Sequence, residues 1–197
     1  MKIAVCASEV VPFAKTGGLA DVAGALPLAL EEEGQEVIIT LPRYKCISDS
    51  KFRITRVSKD ISSTVIGKNI KVYFIENEEY FNRDGLYQDK GLDYKDNLER
   101  FAYYCERSLD LLKEINFKPD IIHIHDWQAS LVPVYLKNLY SKDSFYKNIK
   151  TLLTIHNIGY QGLFAKEEFP KLGLDWSLFN IEGLEFYGKI NILKGGM

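Results

Sequence analysis

The sequence predicts a doubly wound α/β domain, a mostly parallel sheet with helices on both faces and a small antiparallel β insertion. Three observations carry this expectation. Short, almost uniformly apolar runs (KIAVCASEV, EVIITLP, DIIHIHD and TLLTIHN) have the composition of parallel strands covered on both faces. Segments of helical periodicity separate them, and strand–helix alternation is the signature of right-handed crossovers in one sheet. Between residues 51 and 76, FRITRVS, STVIG and IKVYFIE are β-rich instead, with a hairpin-like turn, GKN, from Gly67 to Asn69.

In chain order, KIAVCASEV is the first strand. LADVAGALPLALEEEG follows as a helix, with Leu19, Val22, Ala23, Leu26 and Leu30 at three- and four-residue steps and Gly34 as its stop. Pro27 removes one backbone bond there and predicts a kink. EVIITLP is the second strand, which completes a βαβ unit. After the β-rich insertion, whose KVYFIE run can return to the main sheet, NEEYFNRDGLYQDKGLDYKD is polar, aromatic and glycine-containing, a long loop with a short helix in it. NLERFAYYCERSLDLLKEIN is a helix with Leu98, Phe101, Ala102, Cys105, Leu109 and Leu112 on one face. DIIHIHD is a strand, residues 127–140 a helix and TLLTIHN a further strand. The tail from Gly159 mixes aromatics, glycines and short helical stretches.

At 197 residues the chain can bury one substantial core. It is 46% hydrophobic and 26% charged, with a formal net charge of -2 and no long basic run, so nothing suggests a nucleic-acid footprint. Cys6, Cys46 and Cys105 lie far apart without a CxxC pair, and read as reduced thiols rather than a disulfide frame or a zinc site. The first residues do not read as a signal peptide, and no apolar run approaches the roughly 18 residues that a spanning helix needs. A soluble, cytoplasmic protein is expected.

In a doubly wound fold, ligands sit beyond the carboxyl ends of the strands. Four polar clusters fall there: EVVPFAKTGG, LPRY, HDWQ and HNIGYQG. In KTGGLADV, Gly17 and Gly18 let a ligand approach the backbone. The following helix offers unpaired amides and a partial positive charge, and Lys15 adds a full one. This is the physics of a phosphate site, although neither GxGxxG nor a Walker A pattern is present. An ordinary glycine turn and helix cap is the alternative. For Asp21, a favourable place beside the helix dipole stands against ligand contact. HIHDW offers ligand atoms for a metal, but in a strand His123 and His125 share one face and Asp126 points to the other. A metal site is therefore the weaker reading, and a backbone-bonded buried histidine suits His123. Asp126 either caps the next helix or faces the crevice. TIHNIGYQG brings His156, Asn157, Tyr160 and Gln161 to a turn that can bond a polyhydroxylated ligand, or can be a plain polar loop. Glu31, Glu32 and Glu33 read as a solvated helix end, and no GxSxG occurs.

The ordered segments VCASEVVPFAKTGGLADVAGALP, DNLERFA, HIHDWQA, TIHNIGYQG and EFYGKINILKGG resemble bacterial glycogen synthases and plant starch synthases, over nearly the whole chain. These are retaining glucosyltransferases of the GT-B type. The resemblance implies two Rossmann-like domains with the active site between them. It also implies transfer of glucose from a sugar nucleotide, usually ADP-glucose in bacteria, to the 4-hydroxyl of an α-1,4-glucan, with no metal and no cofactor. By motif, Lys15, Gly17 and Gly18 would face the donor diphosphate. His156 and Asn157 would contact the transferred glucose, with the His156 carbonyl near the anomeric carbon. Asp126, Trp127 and Tyr94 would line the acceptor side, joined by Gln161 and Asp21. Many family members carry His where this chain has Gln128, which leaves that position's role open.

The resemblance further implies that residues 1–197 are the N-terminal, glucan-side domain, without the nucleotide-binding domain, and that this chain alone is inactive. Another GT-B sugar-nucleotide transferase, a sugar-nucleotide epimerase, and a glucan-binding module are the alternatives.

Overall fold

A computed structural model describes residues 1–197. Strand β1 (Lys2–Cys6) lies inside a seven-stranded sheet, with a parallel neighbour on each side. Helix α1 (Gly18–Glu32) leads to β2 (Glu36–Pro42), which pairs parallel to β1 with Ile3 opposite Val37. The β-rich insertion supplies β3 (Thr55–Arg56), β4 (Ile61–Ile66) and β5 (Ile70–Ile75). Of these, β5 pairs parallel to β2, while β4 and β3 continue antiparallel to the edge. KVYFIE thus returns to the main sheet, and the antiparallel insertion is an extension of that same sheet. Helix α2 (Asn97–Glu114) then crosses to β6 (Ile121–His125), parallel to β1 on its other side, and β7 (Lys150–Thr154) pairs parallel to β6.

The resulting order is β3-β4-β5-β2-β1-β6-β7. The chain moves one way from β1 through β2 to β5, and the other way from β5 to β6 and β7. Right-handed crossovers in opposite directions put α1 and α2 on opposite faces of the sheet. The order reverses between β1 and β6, where the loops at the strand ends part and leave a crevice.

Each face is fastened by a distinct device. On α1 the buried face is Leu19, Ala20, Ala23, Gly24 and Pro27, while Val22 stays exposed. Small residues let the helix close on the β1 loop: the Val11 amide donates to the Ala20 carbonyl at 3.0 Å. A Cβ on Gly24 would lie 2.7 Å from the Val11 oxygen. The helix runs on through Pro27. On α2, all six expected core residues are buried, and the Tyr104 hydroxyl donates to the Thr40 carbonyl of β2 at 2.8 Å.

Three expectations need correction. Residues 127–140 form two short helices, α3 (Asp126–Ala129) and α4 (Leu131–Lys137), because Pro133 cannot donate to Ala129, and Ser130 Oγ instead donates back to the Asp126 carbonyl at 2.8 Å. Glu31 is not merely solvated: its carboxylate accepts the Lys68 amide at 2.8 Å and the Asn69 amide at 2.6 Å, capping the β4–β5 turn. The tail contains a small three-stranded antiparallel sheet of β8 (Leu163–Ala165), β9 (Glu185–Phe186) and β10 (Lys189–Asn191), with β10 in the middle.

Candidate active site

A cleft of about 1030 Å³ opens at the carboxyl ends of β1, β6 and β7, at the point where strand order reverses. Three of the four predicted polar clusters line it, through Glu9 and Thr16–Gly18, Asp126–Gln128, and His156–Gln161. LPRY does not: Arg43 pairs with Asp49 at 2.6 Å and with the Ile47 carbonyl, and Tyr44 is buried.

The glycine loop is shaped by Glu9, a buried carboxylate that the sequence does not single out. Its two oxygens accept the Thr16 amide, the Thr16 hydroxyl at 2.6 Å, the Gly17 amide at 3.2 Å and the Tyr87 hydroxyl at 2.8 Å. The Gly17 amide is thus already committed within the protein. Gly18 and Leu19, in the first turn of α1, make no such bond, and no side chain caps the helix. Both residues line the cleft, and the positive end of the helix dipole lies at this first turn. A Cβ on Gly17 or Gly18 would meet nothing within 4 Å, so these glycines leave room for a ligand rather than for a neighbouring segment. Lys15 stands on the rim, where its ammonium bonds both carboxylate oxygens of Asp21 at 2.7 Å, and both side chains are about half exposed.

Asp126 occupies the first position after β6 with φ of 56°, a left-handed conformation that turns its carboxylate across to β7. There Oδ1 accepts the His156 amide at 2.7 Å and fixes the loop that follows β7. Burial pushes the Asp126 carboxyl up, and the His156 amide opposes that shift. Asp126 lines the cleft, and no side chain caps the start of α3. His123 and His125 do share a face, stacked at 4.3 Å between ring centres. Their partners are side chains: His123 Nε2 meets Thr154 Oγ1 at 2.7 Å, and His125 Nδ1 meets His156 Nε2 at 2.9 Å. No three His, Cys, Asp or Glu side chains converge as a metal would need.

Beyond His156, Asn157 Oδ1 accepts the Gly159 amide at 2.9 Å, making a turn that projects Tyr160, 69% exposed, beside the cleft. Gln161 is held from both ends, by the Asn191 amide group at 2.7 Å and the Ile158 carbonyl at 3.0 Å. Trp127 is buried between Phe101 and Phe164, with ring centres at 5.0 and 5.7 Å. Gln128 is also buried along the cleft, and its Oε1 has no protein partner.

The opposite side comes from the loop before α2. Arg100, fully buried, donates to the Tyr80 carbonyl at 2.7 Å, the Asn97 side chain at 2.6 Å and the Leu86 carbonyl at 3.0 Å. Its guanidinium lies 4.8 Å from the Tyr94 ring centre, as does that of Arg83 on the same ring. Two guanidinium groups against one aromatic ring hold Tyr94 where it lines the cleft, beside Tyr87, Gln88, Asp93 and Asn97.

The strand order, the glycine loop and the histidine-bearing loops agree with a single known pattern. A family model described as the starch synthase catalytic domain matches residues 2–197. The chain belongs to the starch synthase catalytic domain family. Two relatives bear on this. The glycogen synthase of Geotalea uraniireducens is 46% identical over 209 residues, which cover 100% of this chain and 43% of that protein. That of Thermotoga maritima is 39% identical over 215 residues, with the same shares. The chain therefore spans less than half the length of these curated starch synthase family members. Among solved structures, the catalytic domain of starch synthase IV from Arabidopsis thaliana, bound to ADP and acarbose, matches with a TM-score of 0.82 at 29% identity, over 98% of this chain and 42% of that one. The GT-B-type α/β architecture expected from the resemblance holds.

The structure brings Gly17, Gly18, Tyr94, Asp126, Trp127, His156, Asn157 and Gln161 to one cleft, and leaves Lys15 and Asp21 on its rim. Sequence reasoning missed Glu9, Thr16, Tyr87 and Asn97. Glu9 carried one signal: an acid in an otherwise apolar stretch directly after β1.

Proposed function

We propose that this chain forms the glucan-side domain of a retaining glucosyltransferase, with residues 1–197 supplying one side of the active site. In this reading the complete protein moves glucose from ADP-glucose to the 4-hydroxyl of an α-1,4-glucan in the cytoplasm, without a metal or other cofactor. The observation that carries it is the convergence in one cleft of an uncapped helix N-terminus with the hydroxyl-binding loop of His156, Asn157 and Gln161.

Breaking the sugar–phosphate bond leaves negative charge on the diphosphate and positive character on the sugar ring. The amides of Gly18 and Leu19 are placed to stabilise the first, since preorganised donors in a dry cleft act strongly. The Gly17 amide, held by Glu9, contributes by shaping the loop. Lys15 reaches the phosphates by leaving Asp21. An exposed ion pair contributes only about 0–1 kcal/mol, so a diphosphate carrying full charge outcompetes it. His156 and Asn157 bond the transferred glucose, and the His156 carbonyl lies towards the anomeric carbon. Glu9 and Asp126, the carboxylates beside the glycine loop and the His156 loop, are both committed to backbone amides. That supports a front-face route in which the leaving phosphate takes the acceptor proton. Tyr94, Trp127 and Asp126 then form the acceptor side, with the exposed Tyr160 ring as a stacking surface.

A donor panel of ADP-glucose, UDP-glucose and UDP-GlcNAc, scored for polymer extension by the complete protein, tests this. ADP-glucose should be the best donor. Extension with UDP-GlcNAc alone would point to a different sugar-nucleotide transferase. The exposed Tyr160 also favours glucan binding by the isolated chain, which affinity electrophoresis in glycogen gels reads directly; no retardation would count against that.

A further inference from the structure

Behind His156, on the side away from the cleft, lies a residue that no role above uses. His125 is fully buried, its Nδ1 is 2.9 Å from His156 Nε2, and its own Nε2 has no hydrogen-bond partner. We propose that His125 is a positioning residue that holds His156 in its Nδ1–H tautomer, so that His156 presents the cleft with a hydrogen-bond donor and not an acceptor.

The argument is one of proton counting. Two neutral imidazoles in N···N contact share a single proton, and it belongs either to His125 Nδ1 or to His156 Nε2. If His156 Nε2 carried it, His125 would have to accept at Nδ1 and keep its proton on Nε2. That would bury an N–H with nothing to bond. If His125 Nδ1 carries it, the unpartnered Nε2 is a bare lone pair. Orphaned buried N–H groups are the rarer and costlier case. The second arrangement therefore prevails, and His156 must hold its remaining proton on Nδ1, which no protein group bonds. Burial and the neighbouring His123 and His156 rings push the His125 pKa down to about 3, so a second proton does not rescue the alternative near neutrality. Stacking of His123 at 4.3 Å and the nearly coplanar contact with His156 fix the His125 ring against rotation.

On the reading proposed above, the Nδ1–H donor would meet an oxygen of the transferred sugar, and a deoxy analogue lacking that oxygen would leave it unpaired. The tautomer itself does not depend on that reading. It can be read in the complete protein with 15N-labelled histidine, by long-range proton–nitrogen spectra at slightly alkaline pH, with His156→Gln assigning the resonances. The expected spectrum shows His156 protonated on Nδ1 and bare on Nε2. A His156 protonated on Nε2 overturns the proposal. His125→Asn, which keeps a donor near the Nδ1 position, should retain the tautomer and most of kcat. His125→Leu should lose the tautomer and about tenfold in kcat, the scale of one hydrogen bond, with the donor KM little changed. If the Leu variant does not fold, the wild-type spectrum still decides. The Nδ1–H tautomer in a protein that transfers no glucose would sink the functional reading and leave the His125 assignment standing.

Discussion

Lys15 and Asp21 form an exposed ion pair on the rim of the cleft, and its weakness is what suits Lys15 to its proposed task. A lysine locked in a buried pair could not turn to a ligand. In the complete protein, Lys15→Ala should lower kcat on the order of 10²-fold, the effect of removing one stabilising group from a developing anion. Unchanged kcat and KM would remove Lys15 from the phosphate site. His125 carries a second prediction at this scale, in stability. Its folded pKa of about 3 lies below the usual 6.5, because burial disfavours its charged form. Below about pH 6.5 the unfolded chain takes up a proton that the folded chain refuses, so stability is full above that pH and declines as pH falls towards 3. Denaturant titrations should show this slope, and His125→Asn should reduce it by up to about 1.4 kcal/mol per pH unit. Identical slopes in both proteins would contradict the assignment.

At the scale of elements, the loops are held by contacts that a single side chain can disrupt. Gly162, with φ of 63°, lies against Trp127: an added Cβ would stand 2.5 Å from Trp127 Cε3, and the indole cannot retreat between Phe101 and Phe164. Gly162→Ala should therefore cost about 2 kcal/mol, visible in thermal unfolding, and should displace the loop that carries Gln161. A neutral effect would mean that the loop adapts freely. This contrast also explains what could be read from the sequence. The strands and α2 were legible because apolar runs and three- and four-residue steps are written locally, as in Leu98, Phe101 and Leu109. Glycines and polar residues at strand ends located the cleft for the same reason. The roles of Glu9, Glu31 and Arg100 were not legible. Each is defined by partners remote in sequence: Tyr87 for Glu9, the β4–β5 turn for Glu31, and the Tyr80 carbonyl for Arg100. The break after Ala129 has a local sign in Pro133, which the reading of residues 127–140 as one helix leaves out.

For the whole molecule, the order β5-β2-β1-β6-β7 concentrates the chemistry at one point, because only at the β1–β6 reversal do the loops diverge. Glu9 and the glycine loop arrive from β1, Asp126 and Trp127 from β6, and His156 from β7. The chain spans 43% of the length of its curated relatives. On the proposed reading, the donor nucleotide also needs groups from outside these residues. The 197-residue chain alone should then show no glucose incorporation into glycogen, and robust incorporation would contradict that division of labour.

The central claim is that the uncapped start of α1 is the diphosphate site and the His156 loop the sugar site. A crystal structure of the complete protein with ADP and a short maltooligosaccharide tests it most directly. The account predicts a phosphate oxygen within hydrogen-bond distance of the Gly18 or Leu19 amide and a sugar ring against His156. A diphosphate bound away from the first turn of α1 would contradict it.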